Sequence, residues 1–555
     1  MPEPLSAARR EPPRTGAATA PSPAAAPSTG GPAAPRWGRW VAAVCAVYVA
    51  AQLVLVLPGS GLGWDETVYT SQVSGRVPAA AFSAPRARGI SFLAAPVAHF
   101  TDSPLALRLW MAALSGVGLY VALRAWRRVL PERVLALAGV LFAGLWITLF
   151  YGPQVMPNMW SAFGALAAAG CFVRAVRDPR DRAALAGLAA GVAVVGLMRP
   201  PDAGWLALPL AAVALAVPRW RRPAVLAVLV AGVVLGCAEW VVEAYVRYGG
   251  LAERLHRSSA VEGGMGLHLA VDDQVRALNG RALCRPCTVP WRHKDTSAWW
   301  FALPFLAAGG AVAVPRVRRS AVWLAGLTAL SMALPYLFTI SYAAPRFLLP
   351  TYALLALPVS EFLWWCVTRR GARAVAPPAA RAVTRSGAVS GAPPAGEAGG
   401  GTGAAPGGHG GRPAGRGRPR LRPAAVALVA AGLCAHLAVQ GGVLHTATRN
   451  NHRTSQEYRA VADGLHAHGI AAPCTLSGVS AVPIAFYTGC ASRQVGGPDA
   501  SIDEAGLLAQ ARSRPVAVLV TGGGRPPAFA RGWRSVPLPT PHGARAFRAY
   551  LPPPR

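Results

Sequence analysis

Two adjacent carboxylates, Asp65 and Glu66, stand in the stretch Gly63-Trp64-Asp65-Glu66-Thr67-Val68-Tyr69, directly after the first long apolar run of the chain. Acids at the mouth of an apolar segment are costly to desolvate, so they mark a water-filled cavity, a site or a plain solvated loop. As a site, a carboxylate there could take the proton of an attacking hydroxyl as general base. As a loop, the two would be solvated acids capping a helix over residues 67–73. Arginines supply the opposite charge. Arg86 and Arg88 lie in Ala84-Pro85-Arg86-Ala87-Arg88-Gly89 beside an apolar stretch, where guanidiniums face phosphate, whether of a ligand or of lipid headgroups. Arg346 opens an apolar span between Pro345 and Pro350, in the turn that also holds Tyr342. Arg199, before Pro200 and Pro201, is either an interfacial arginine or a second phosphate ligand.

Polar residues in the same kind of position complete the set. Gln154 and Asn158 lie in Tyr151-Gly152-Pro153-Gln154-Val155-Met156-Pro157-Asn158, where the composition fits a simple turn. Their amides could also hydrogen-bond a sugar. Glu239 and Glu243 share one face of a span at i, i+4. Intramembrane acids point to function, although a salt bridge from Glu243 to Arg247 is the simpler account.

The elements that must position these residues follow from composition. Of 555 residues, 53% are hydrophobic and 14% charged, against about 25% charged in soluble domains. This predicts a polytopic membrane protein, mainly α. The net charge of +32 lies in short arginine clusters between apolar runs, as cytoplasmic loops require, so nucleic acid is not the expected partner. Apolar runs near residues 41–57, 105–125, 134–150, 159–176, 183–198, 203–217, 224–245, 298–314, 321–340, 348–367 and 424–444 predict about eleven transmembrane helices. The first reads as a retained signal anchor. Arginine clusters at every second boundary place the amino terminus inside and the carboxyl terminus outside. The protein is therefore expected in the plasma membrane, with every distinctive polar residue on the external face.

The expected organisation is a disordered cytoplasmic tail (1–35), a transmembrane domain (36–368) with external loops 58–103 and 247–297, and a basic Gly/Pro-rich cytoplasmic linker (369–423). A last transmembrane helix (424–445) and a small external α/β domain (446–555) follow, with an amphipathic helix near 458–467, a helix near 502–511 and a buried strand near 516–520. Of nine cysteines, five lie in apolar runs, where a small core residue is the ordinary reading. Cys474 and Cys490 fit a local disulfide; Cys284 and Cys287 could pair with each other or contribute to a zinc site that would need two further ligands.

Together these features resemble the GT-C superfamily of glycosyltransferases that use lipid-phosphate sugars, in the branch of the protein mannosyltransferases and the lipid A aminoarabinose transferase. The resemblance rests on Trp64-Asp65-Glu66 with Tyr69, the Pro85-Arg86-Ala87-Arg88-Gly89 segment, the Tyr151-Gly152-Pro153-Gln154 turn and Arg346-Phe347-Leu348-Leu349-Pro350-Thr351-Tyr352, and covers roughly residues 40–367. It implies a polyprenyl-phosphate sugar donor entering from the outer leaflet, and inverting transfer to an envelope glycan, lipid or protein. Asp65 would be the catalytic carboxylate, with Glu66 positioning the acceptor or a divalent metal ion; no other cofactor is implied. Arg86, Arg88, Arg346 and, more weakly, Arg199 would bind the donor phosphate. Tyr69, Gln154, Asn158, Tyr342, Glu239 and Glu243 would contact sugar or acceptor. Two departures stand out: Ala84-Pro85-Arg86 replaces the His-Pro-Pro common in the first loop, and the turn after the third span lacks the second acid of many members. A transporter or lipid-sugar flippase, and a non-catalytic envelope scaffold, are the competing classes.

Overall fold

In a computed structural model of the protein, residues 38–368, 422–497 and 499–553 are described; the expected tail over 1–35 and nearly all of the linker over 369–423 lie outside them. The described residues from Gly38 onward form one compact unit. Among them, seven helices are long and apolar enough to cross a membrane: Pro104–Arg124, Pro157–Arg177, Pro223–Arg247, Lys294–Ala313, Arg316–Phe338, Pro345–Thr368 and Pro423–Ala467. Three further expected spans are helices of 17 residues, Arg39–Leu55, Arg182–Met198 and Pro200–Ala216. Pro104, Pro157, Pro200, Pro223 and Pro423 each stand in the first turn of a helix, where a missing N–H costs nothing and the fixed φ favours the helix.

The span expected over 134–150 is not continuous. It divides into Glu132–Ala143 and Trp146–Tyr151, with Leu145 extended between them. The Trp146 N–H freed by the break is taken by Gln440 Oε1 at 3.0 Å, from the helix Pro423–Ala467. That helix is itself longer than expected. It runs unbroken for 45 residues and absorbs the separate amphipathic helix expected near 458–467, because no Gly or Pro between 443 and 460 stops the i to i−4 ladder.

Small residues let the central helices approach closely. A Cβ on Gly164 would lie 2.8 Å from the Gly191 carbonyl oxygen, and the reverse holds for Gly191, so the helices Pro157–Arg177 and Arg182–Met198 meet backbone to backbone. At the end where these two helices join, Asp181 caps Ala184 and pairs with Arg174 (2.8 Å) and Arg128 (3.1 Å). The chemistry-bearing loops gather at the other end.

The C-terminal domain carries a five-stranded mixed sheet. Its strands are β1 (Thr475–Gly478), β2 (Ala491–Ser492), β3 (Val516–Thr521), β4 (Arg534–Leu538) and β5 (Phe547–Leu551), in the order β2-β1-β3-β5-β4. β1 pairs in parallel with β2 and β3, and β5 runs antiparallel between β3 and β4. β3 is fully buried over Val516–Val520, as its apolar run demands. The helix expected near 502–511 spans Glu504–Ala511, and Asp503 caps it through the Gly506 N–H. Cys474 is bonded to Cys490 and Cys284 to Cys287.

Candidate active site

The helix Trp64–Ser71 begins three residues earlier than the stretch 67–73 suggested, because Glu66 caps it. Gly63 is extended at the N-cap and donates its N–H to Glu66 Oε2 at 3.0 Å, and both acids of the first turn complement the helix N-terminus. Glu66 is 2% exposed and its oxygens are fully used. Arg108 grips both of them, Nη2 reaching Oε2 at 2.8 Å, and the Val155 N–H donates to Oε1 at 2.9 Å. Arg108, from the helix Pro104–Arg124, is 1% exposed. Its remaining N–H groups go to Ser60 Oγ and to the carbonyls of Gly61 and Pro153, so all five guanidinium donors are satisfied. The pair welds the first loop to the Tyr151–Pro157 turn.

Asp65 faces the other way and its side chain is one-third exposed. Its Oδ1 accepts from Arg86 Nη2 at 2.8 Å and its Oδ2 from Arg346 Nη2 at 3.0 Å. Burial of the carboxyl raises its pKa, but the charges of Arg86 and Arg346, with Arg199 contributing, pull it down by more, and it settles below the ordinary aspartate value. Arg346 is held by the Ala282 carbonyl at 2.8 Å, and its Nε is buried without a partner. The segment bearing Ala282 is fixed in turn by Cys284 and Ala343, which exchange backbone hydrogen bonds of 2.8 and 3.2 Å.

Arg86 rests on a buried scaffold. Arg254, fully buried on the helix Leu251–Val261, donates to the carbonyls of Ala84 and Arg86 at 3.0 Å each. It also reaches Glu243 Oε2 at 2.9 Å and sits over the rings of Trp240 and Tyr248. On the guanidinium itself, Nη1 contacts Ser83 Oγ and donates to Asp499 Oδ1 at 2.8 Å. Asp499 belongs to the C-terminal domain, and its Oδ2 accepts the Trp64 indole N–H at 2.7 Å. That domain holds the same loop elsewhere. Asn451 accepts from Ser60 and Gly61, Tyr487 accepts from the Leu62 N–H, and Val482 packs with Val68, Ala80 and Trp64.

The remaining expected residues divide. Arg88 is spent on Glu243 (2.6 Å) and Glu239 (3.6 Å) beneath the loop, and the anticipated Glu243–Arg247 pair is the loosest of the Glu243 contacts at 3.6 Å. Glu243 faces inward to Arg88 and Arg254, which are more buried than Arg247. Arg199 lies against the rings of Tyr336 and Phe347 and 3.5 Å from Asp202. Tyr69 is buried, edge-on to Phe82, and burial raises its hydroxyl pKa. Burial and the Glu262 carboxylate likewise raise that of Tyr342, whose hydroxyl donates to Glu262. Gln154 and Asn158 are buried, and Asn158 Oδ1 has no partner.

Three residues here were not anticipated. Arg108 carries a signal, a charge four residues into an apolar span, whereas the sequence around Arg254 and Asp499 carries none. Among the described residues no three His, Cys, Asp or Glu side chains are grouped to hold a metal ion. A divalent ion on Glu66 would have to displace Arg108 and two backbone donors, so these residues do not fit a resident metal.

No protein-family model and no curated protein matches the sequence. The fold, however, is similar to ArnT from Cupriavidus metallidurans. Against its structure bound to undecaprenyl phosphate the TM-score is 0.58 at 14% identity, covering 92% of this chain and 98% of that one. Against its apo structure the values are 0.56, 15%, 92% and 97%. The likeness is one of overall fold, and it extends over most of both chains.

Proposed function

We propose that the protein is a membrane glycosyltransferase that moves a sugar from a polyprenyl-phosphate donor to a hydroxyl of an envelope acceptor. The observation that carries this reading is Asp65, solvent-reachable and held between Arg86 and Arg346. The likeness to a structure holding undecaprenyl phosphate supports the choice of donor. In this reading the arginine-rich ends of the helices face the cytoplasm and the site end, with the C-terminal domain, faces outward. The three 17-residue helices and the broken pair Glu132–Ala143 and Trp146–Tyr151 also cross the bilayer, giving eleven crossings.

The geometry suits an in-line displacement. Attack at the anomeric carbon breaks the bond to the phosphate oxygen, builds negative charge on the leaving phosphate and frees the proton of the acceptor hydroxyl. Arg86 and Arg346 stabilise the first, and Asp65 takes the second. Before the donor arrives, the arginines hold the Asp65 pKa below its ordinary value. A phosphate that draws them away weakens that pull, so the Asp65 carboxylate becomes a stronger base when the donor binds.

The test is to incubate the purified full-length protein with polyprenyl-phosphate mannose, arabinose and aminoarabinose and an envelope extract. Release of free polyprenyl phosphate with sugar appearing in an acceptor is expected. Intact donor in every case, from folded protein, contradicts the reading.

A further inference from the structure

Among the described residues, Asp499 is the one acid that the C-terminal domain sends into the cluster around Asp65, and it does so across more than 400 residues of sequence. It is 8% exposed, and its two oxygens serve different elements. One holds Arg86 and the other the Trp64 indole, immediately before Asp65. Its backbone is placed by Gln494. Gln494 bridges to Ala500 and accepts the Ser501 N–H at 2.8 Å, while its side-chain amide exchanges hydrogen bonds with Gly478 at the end of β1.

The consequence is electrostatic. Asp65 and Asp499 cancel the charges of Arg86 and Arg346, so an arriving phosphate meets a neutral cluster in which it must compete with Asp499 for Arg86. We infer that Asp499 is a counter-charge that sets how tightly Arg86 holds a lipid phosphate, making the C-terminal domain part of the donor site. The inference rests on the donor proposed above. Without Asp499 the same cluster carries a net positive charge, and a phosphate is bound more tightly but released more slowly. Asp499 therefore acts through Arg86, as a positioning residue, and touches neither sugar nor acceptor.

The prediction runs opposite to that of a structural contact, whose loss weakens binding. Decaprenyl phosphate is titrated into detergent-purified full-length protein, with decaprenol as the uncharged control. For Asp499→Asn, which keeps the side-chain volume and one acceptor oxygen, the dissociation constant is expected to fall about three- to tenfold. Turnover falls with it, and Asp499→Glu restores both. Unchanged or weaker phosphate binding by folded Asp499→Asn overturns the inference. Should that variant not fold, hydrogen exchange in the wild type decides. Decaprenyl phosphate is then expected to speed exchange in the peptide bearing Asp499, and unaltered exchange overturns the idea. If the wild type binds decaprenyl phosphate no better than decaprenol, the proposed donor itself fails and the inference falls with it; wild-type phosphate binding that Asp499→Asn leaves unmoved removes the inference alone.

Discussion

Asp65 and Glu66 are consecutive residues in the first turn of one helix, yet the surroundings of their carboxylates differ in nearly every respect that matters for chemistry. Glu66 is buried and takes hydrogen bonds from Arg108, Gly63 and Val155. Asp65 is partly open to solvent and is held by Arg86 from later in the same loop and by Arg346 from a turn 281 residues on. A buried ion pair with every donor satisfied is rigid and unreactive. A partly exposed acid between cations that are not fully enclosed can release them to a competing anion. One helical turn therefore separates a structural joint from a candidate reaction centre, and the contrast lies in what each acid's arginines are otherwise bonded to.

Breaking the joint should have the largest effect. Glu66→Ala strands the Arg108 guanidinium in a buried position and is expected to cost about 3–5 kcal/mol of stability, measurable by denaturation in detergent. The double replacement Glu66→Leu with Arg108→Met removes both charges and should recover much of that loss. If Glu66→Ala melts like the wild type, the assignment of Glu66 to structure is wrong.

Loosening the support of the other acid should act on activity, with a smaller loss of stability than Glu66→Ala because Glu243 keeps Arg88 at 2.6 Å. Arg254→Met removes the donors that hold the Ala84 and Arg86 carbonyls. Because the contact is one step removed from the reacting groups, kcat/KM for a lipid-phosphate sugar should fall about tenfold. A variant with unchanged kinetics would show that the loop keeps its shape without Arg254.

The smallest effect is in the pH profile. The folded pKa of Asp65 lies below its ordinary value, so the carboxylate form is lost only as pH falls through that depressed value. The acid limb of kcat/KM should therefore lie below about pH 4. In the donor complex the arginines turn to phosphate, the pKa rises, and the acid limb of kcat should appear at higher pH than that of kcat/KM. Coincident limbs would argue against arginine exchange between Asp65 and donor.

Much of this was legible in the sequence. Apolar length predicted most of the helices, and Asp65, Arg86 and Arg346 could be nominated because acids and arginines at the ends of apolar runs need a reason to be there. Partner choice was not legible. Nothing in the local sequence assigns Arg88 to Glu243 rather than to a phosphate, because that pairing depends on the loop folding back onto the Pro223–Arg247 helix. Nor could Asp499 be found, since it enters the site only through the docking of the C-terminal domain. The break at Leu145 was hidden for a related reason: the Gln440 amide that satisfies it lies on another helix.

In the proposed function Asp65 does chemistry while Glu66 holds the fold. This division is tested most directly by measuring polyprenyl-phosphate binding and sugar transfer side by side in folded Asp65→Asn. The account predicts binding at least as tight as in the wild type, because an anion that competes for Arg86 and Arg346 is gone, with turnover lower by about 10²- to 10⁴-fold. Transfer at a rate close to that of the wild type would contradict it.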